Sequence, residues 1–236
     1  INYEKTFVML KRNYDLGINT ISIVLINSFK FTKHETVVKA MAERIGYKYI
    51  SCSSEVSPTI NYTARGYTTL ADNYLNPSIE NFTSKISKFF GKSKISYMQS
   101  SGCLSEKLNF SGKTSILSGP AGGVNAGINI ARENKIKKII GFDMGGTSTD
   151  VWHYNGELEK RLETKISDIY IKTPVLNIES IASGGGSVIN YSQKRFIVGP
   201  SSAGSFPGPT CYRNGGPLTI TDCNLVLGRI DPNFFP

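Results

Sequence analysis

Residues 140–150 read Ile140-Gly-Phe-Asp143-Met-Gly145-Gly146-Thr147-Ser148-Thr149-Asp150. Apolar residues lead to a carboxylate, two glycines follow, and hydroxyl side chains open the next extended segment. That order predicts a tight hairpin. Glycine lets backbone approach a ligand closely, and the loop amides with the hydroxyls of Thr147, Ser148 and Thr149 are donors suited to the oxygens of a polyphosphate. Asp143 and Asp150, when ionised, have acceptors and no donor. They suit a hydrated magnesium ion, which takes few protein carboxylates and keeps its waters. The plainer alternative is an ordinary hairpin with Asp143 capping the turn, but ordinary hairpins need fewer Gly and hydroxyl residues together.

Working outward, Thr20 to Asn27 is continuous and β-branched, as in a strand buried on both faces. After Thr32, a candidate N-cap, Val37, Val38, Met41, Ala42 and Ile45 recur at helical spacing up to a Gly46 stop. Tyr47 to Cys52 then reads as a second strand, so the three make a right-handed parallel crossover. A helix is expected from Thr68, interrupted at Pro77 and continuing through Ile79, Phe82, Ile86 and Phe89 to Gly91. Ile95–Met98 and Thr114–Leu117 read as short strands. With a helix over Gly122–Arg132 and a strand from Ile136 to Phe142, a second strand, helix, strand unit is expected. Residues 139–164 read as an antiparallel meander with a hairpin at Asn155-Gly156. Beyond Ser183, up to Pro217, the composition turns to Gly, Pro and Ser, read as ordered loops at a site. Within it, Gly184, Gly185 and Gly186 either admit a close approach to a nucleotide or mark a bend where strands pack. Ser118 to Gly123 precedes a helix and is either an anion-binding turn or a plain one.

The 236 residues suffice for a sizeable core, and 39% hydrophobic with 19% charged residues is the composition of a globular chain. The net charge of +9 raises the question of a nucleic-acid partner. Its densest stretches, Lys85 to Lys94 and Lys135 to Lys138, lack interleaved aromatics and read as solvated faces, so neither a nucleic acid nor a membrane is expected as a partner. Cys52, Cys103, Cys211 and Cys223 are dispersed with no CxxC pair, which fits a reducing compartment, and the cytoplasm is expected. No apolar run reaches membrane-spanning length. Gly91-Lys92-Ser93 resembles the tail of a P-loop, but Ile86 stands where its first glycine belongs. His34 and His153 are isolated from other ligand types, and no Gly-x-Ser-x-Gly elbow is present. The chain opens at Ile1 without a methionine, so it reads as an excerpt of something longer.

The hairpin resembles the phosphate loop of the actin, Hsp70 and sugar-kinase superfamily, which carries two such loops, one per lobe. A narrower resemblance, to the hydantoinase A and 5-oxoprolinase family, runs through most of the chain. It is carried by Ser54-Glu-Val-Ser-Pro58, Arg65-Gly-Tyr-Thr-Thr69, Met98-Gln-Ser100, Leu117-Ser-Gly-Pro-Ala-Gly-Gly123 and Gly141 to Asp150. It continues in Ala182-Ser-Gly-Gly-Gly-Ser187, Val198 to Gly204, Pro207-Gly-Pro209 and Thr221-Asp222. Arg161 to Thr164, Cys211 to Thr219, Leu227-Gly-Arg229 and the closing Phe-Phe-Pro are closer to the 5-oxoprolinase branch. Ser101 departs from an acidic position of the pattern, Cys103 from a Gly and Cys223 from an Ala.

The resemblance implies an α/β, actin-like ATPase (ribonuclease H-like) fold, truncated to parts of two lobes. Residues 1–110 would close the first lobe and 111–236 open the nucleotide-binding second. It implies ATP and Mg2+ as cofactors, with Asp143 and Asp150 as catalytic and metal-organising residues. Gly145, Gly146, Thr147, Ser148, Thr149 and Gly184 to Gly186 would hold the nucleotide. The implied reaction is ATP-dependent opening of 5-oxoproline to glutamate, a step of glutathione metabolism, by a protein that includes the remainder of the parent enzyme and is compatible with a homo-oligomer. An ATP-dependent hydantoinase, a ketone carboxylase subunit and a non-catalytic scaffold stay open as alternatives.

Overall fold

The computed structural model describes residues 1–166 and 168–234, and its packing divides into two compact units. One is Ile1–Asn125 with Glu159–Leu176; the other is Ala126–Leu158 with Asn177–Pro236. The end of the closing Phe234-Phe235-Pro236 motif lies outside the described residues.

In the first unit, α1 (Tyr3–Asp15) precedes β1 (Thr20–Ile23), α2 (Lys33–Ile45) and β2 (Tyr49–Cys52). The two strands pair in parallel from Thr20↔Tyr49 to Ile23↔Cys52, as expected of a crossover. Ile23, Val38 and Cys52 form its core, with Leu10, Ile21 and Ile50 against them. Gly46 ends α2 at φ 113°, a conformation that favours glycine, and returns its amide to the carbonyls of Ala42 and Glu43. Thr32 makes no capping bond with its side chain. The first strand is shorter than its apolar run. It stops at Ile23 because the Leu25 amide donates to Glu35 and the carbonyls of Leu25 and Ile26 are claimed by Arg65, so side chains replace the ladder.

After the short α3 (Ser53–Val56), α4 (Tyr62–Phe90) runs unbroken through Pro77, starting earlier than the sequence suggests because the Asn61 side chain caps the Ala64 amide at 3.0 Å. Proline forfeits one helical hydrogen bond, but a buried stripe from Ala64 through Asn73 holds the rod together. The strand expected at Thr114–Leu117 is instead α5 (Gly112–Ser115) running into α6 (Ser118–Glu133). The amides of Gly112 and Lys113 are captured by Asn76 Oδ1 at 2.8 Å and Asp72 Oδ1 at 3.0 Å, and Ser111 and Thr114 form a capping box. The second strand, helix, strand unit is therefore absent. β3 (Tyr97–Met98) pairs antiparallel with β4 (Leu104–Ser105).

The second unit holds the expected hairpin, β5 (Ile139–Met144) against β6 (Thr149–Tyr154). The meander does not continue through Asn155-Gly156. β7 (Lys160–Arg161) pairs with β10 (Val175–Leu176), and β8 (Thr164–Ile166) with β9 (Ile169–Ile171), all four in the first unit. The other edge of β6 takes β11 (Glu179–Ile181), giving a sheet ordered β11-β6-β5. Trp152 is the hub of this unit. A Cβ on Gly141 would come within 1.9 Å of its indole and one on Gly127 within 2.6 Å, so both must be glycine. The Gly- and Pro-rich stretch is ordered and carries an antiparallel pair, β12 (Ser187–Ser192) with β13 (Arg195–Ser202), before α7 (Ile220–Val226).

Candidate functional site

The hairpin of the second unit is closed by the Gly145 amide donating to the Ser148 carbonyl at 3.0 Å. The amides of Gly146, Thr147 and Ser148 make no hydrogen bond within the chain, and Gly145 to Thr147 are exposed. Three consecutive unspent donors at a glycine turn form a concavity for an anion. Asp143 stands directly opposite Asp150 in the antiparallel register. Like charges placed so repel, and a divalent cation shared by the two relieves that repulsion. The residues thus fit a magnesium ion. Asp150 is further fixed by the Ser180 hydroxyl, its register partner on β11, which donates to Oδ1.

The remaining residues expected at the site divide by how their polar groups are used. Thr147 keeps its hydroxyl at the loop, 3.4 Å from Ser202 Oγ. Thr149 is buried, and its hydroxyl donates to the Ser183 carbonyl at 2.6 Å. All three amides of the glycine run are engaged inside the chain. Gly184 donates to Ser187 Oγ at 2.9 Å, Gly185 to the Gly145 carbonyl at 2.9 Å, and Gly186 to the Gly146 carbonyl at 2.6 Å. A Cβ on Gly184 would lie 2.7 Å from the backbone of Gly145 and Gly146. The glycine run thus packs closely against the backbone of the hairpin loop.

Ser180, Ser202 and Thr221 belong to this neighbourhood; Ser202 and Thr221 fall in stretches that carry the family resemblance, but none of the three was expected at the site. Thr221 donates its amide to the Gly185 carbonyl at 2.8 Å. Their only sequence signal is a hydroxyl inside or beside a Gly-rich motif. Asp222 is structural. It accepts from the amides of Thr210, Cys211 and Thr219, and although burial alone would raise its pKa, these bonds hold it below the usual carboxylate range. Burial pushes the Cys211 thiol up to about 11 and that of Cys52 to about 12, the behaviour of inert thiols. Among the described residues no group of three His, Cys, Asp or Glu side chains converges as a metal cage.

A second constellation lies in the first unit. Arg65 is fully buried, donating to Ser53 Oγ at 3.0 Å and to the carbonyls of Thr59 at 2.7 Å, Leu25 at 2.5 Å and Ile26 at 2.8 Å. Glu35, also fully buried, accepts from the Leu25 amide at 2.9 Å, Ser53 Oγ at 2.6 Å and the Ser54 amide at 2.8 Å. Ser53 bridges the two charges. The segments Ser54 to Pro58 and Arg65 to Thr69 thereby meet around one polar network that fixes the course of Leu25–Ile26 and of Thr59.

The family model described as hydantoinase/oxoprolinase matches residues 65–236. The chain is 46% identical over 233 residues to a 5-oxoprolinase of Saccharomyces cerevisiae, covering 97% of this chain and 18% of that protein. It spans about a fifth of the length of the curated relatives it matches first. Among solved structures, an ATP-dependent caprolactamase from Pseudomonas jessenii is 31% identical with a TM-score of 0.70, over 86% of this chain and 31% of that one. A nucleotide-free acetone carboxylase, at 24% identity, shares the fold with a TM-score of 0.79 over 99% of this chain and 35% of that one.

Proposed function

This chain belongs to the hydantoinase/oxoprolinase family, and on that premise we propose that it is part of an enzyme that opens 5-oxo-L-proline to L-glutamate at the expense of ATP. The observation that carries the reading is the hairpin between Asp143 and Asp150, with free amides at its tip, in a chain so close to a 5-oxoprolinase. An amide is a poor electrophile. Transfer of the terminal phosphoryl group to the lactam oxygen makes the ring carbon electrophilic. Water adds to that carbon, the ring C–N bond breaks with the nitrogen leaving as the amine, and a second water cleaves the resulting acyl phosphate to carboxylate and inorganic phosphate. Such transfer asks a protein for positioning and charge stabilisation. The amides of Gly146, Thr147 and Ser148 with the Thr147 hydroxyl receive phosphate oxygens. Asp143 and Asp150 would hold Mg2+, which neutralises phosphate charge when bound. Ser180 orients Asp150, and Gly184 to Gly186 keep the loop in shape.

In this reading the architecture is that of the actin-like ATPases, with residues 1–110 closing one lobe and 111–236 opening the next. The enzyme works in the cytoplasm, in glutathione metabolism. A second reading, an ATP-dependent hydantoinase or ketone carboxylase subunit, draws on the structural likeness to caprolactamase and acetone carboxylase. The test is ADP and glutamate formation from 5-oxoproline and Mg-ATP by the full-length protein. Coupled products that vanish in Asp143→Ala are expected, and the 236-residue chain alone is expected to be inactive. ATP consumption without glutamate would turn the assignment toward another carbonyl substrate, and no ATP consumption toward a scaffold.

A further inference from the structure

A cavity of about 580 Å³ in the first unit is lined by Val56, Thr59, Lys113, Glu163, Lys172 and Pro174, among others. Its size is in the range of small-molecule sites, and its walls are mostly apolar with a few polar groups, the usual make-up of such a site. Three observations concern those polar groups. Lys113 gives a hydrogen bond to the Val56 carbonyl, which leaves two of its three ammonium donors unused. Among the described residues no carboxylate forms an ion pair with it. Asp72, the nearest acid acting on it, is occupied by the Ser51 hydroxyl, the Asn76 amide group and the backbone amide of Lys113. Lys172 is compensated, lying 3.8 Å from Glu163. Among the described residues that line the cavity, Lys113 is thus the cation without a carboxylate partner. Finally, Thr59 Oγ1 is buried without any hydrogen-bond partner.

A half-buried cation with donors to spare and a buried hydroxyl left unsatisfied are each costly, and an anionic acceptor satisfies both. Burial lowers the Lys113 pKa, more than the charge of Asp72 raises it, as expected of a cation still lacking its counter-ion. The wall that carries Thr59 is rigid, since Arg65 holds the Thr59 carbonyl from within the buried network.

We propose that this cavity binds a small monocarboxylate, with Lys113 and Thr59 recognising the carboxylate and the apolar wall accepting a saturated ring. The inference rests on the reading above in taking that molecule to be the cyclic amide substrate. A charge-assisted bond contributes about 1.5–3 kcal/mol, or roughly 10–150-fold in affinity. Calorimetric binding of 5-oxoproline to the full-length protein, without nucleotide, is therefore expected to weaken at least about tenfold in Lys113→Met. The wild type is expected to prefer 5-oxoproline over 2-pyrrolidinone, the same ring without the carboxylate, and Lys113→Met to lose that preference while ATP affinity is unchanged. Thr59→Val, which removes only the orphan hydroxyl, gives the same direction of change and decides the matter if Lys113→Met does not fold. Unaltered 5-oxoproline affinity in the folded variants, or no preference for the carboxylate in the wild type, overturns the proposal. Normal binding without turnover would instead count against the proposed reaction and leave the site standing.

Discussion

Glu35 illustrates how much one buried carboxylate can organise. Its two oxygens fix the end of β1 through the Leu25 amide and the start of α3 through Ser53 and Ser54. Burial alone would raise its pKa, yet the bonds from Ser53, Ser28 and Ser54 hold it lower than usual. A carboxyl with a folded pKa below its unfolded value stabilises the fold above the unfolded pKa, near 4.3, and loses that contribution as pH falls through the folded value. Glu35→Gln is therefore expected to be less stable than the wild type at pH 7, with the gap in urea midpoint closing as the pH is taken below about 4. An equal gap at pH 7 and pH 3 would refute this account. From sequence, an acid in the first turn of α2 reads as a complement to the helix dipole. Its real partners come from β1 and α3, distant in sequence, and no local pattern records them.

At the level of elements, the junction of α4 with α5 shows why a short apolar run is ambiguous. Thr114 to Leu117 is compatible with strand or helix by periodicity. The decision comes from Asp72 and Asn76, one turn apart on α4, whose side chains take the first two amides of α5. The fit is tight. A Cβ on Gly112 would fall 2.4 Å from the Asp72 carbonyl oxygen and 2.9 Å from Leu75 Cβ, both unable to yield without moving α4 or α5. Gly112→Ala is expected to cost about 1–3 kcal/mol, read as a lowered urea midpoint with an unchanged m-value. A midpoint equal to that of the wild type would show that the two helices dock more loosely. Pro77 teaches the converse lesson: a residue that breaks isolated helices is carried by a helix held by a buried stripe from Ala64 to Asn73 before it and by buried Thr83 after it.

For the whole molecule, the first unit is not one continuous stretch. It needs Glu159–Leu176 to complete its packing. Ile171, Val175 and Leu176 are almost wholly buried, the Lys172 amide donates to Thr68 Oγ1 at 2.9 Å, and the Leu176 amide to the Ser100 carbonyl at 2.9 Å. Residues 1–125 produced without 159–176 would expose the apolar surface these residues cover. They are expected to bind a hydrophobic dye and to unfold at lower urea than the full chain. A midpoint matching that of the full chain would mean that the insertion contributes nothing. A boundary placed near Phe110 on family grounds divides an architecture, whereas the packing units follow which segments bury one another.

Features written in consecutive residues were legible before any coordinates. Alternation and turn chemistry announced the β5–β6 hairpin, helical spacing and Gly46 gave α2, and the motif string gave the family. These depend on local sterics and near-neighbour hydrogen bonds, which the order of residues encodes directly. Tertiary structure alone chose β11 rather than residues 157–163 as the second partner of β6, packed the glycine run against the hairpin loop, and placed Lys113 and Thr59 in the lining of one cavity. Such choices are made by pooled burial and polar satisfaction across long separations, where many pairings compete and no single residue announces the winner.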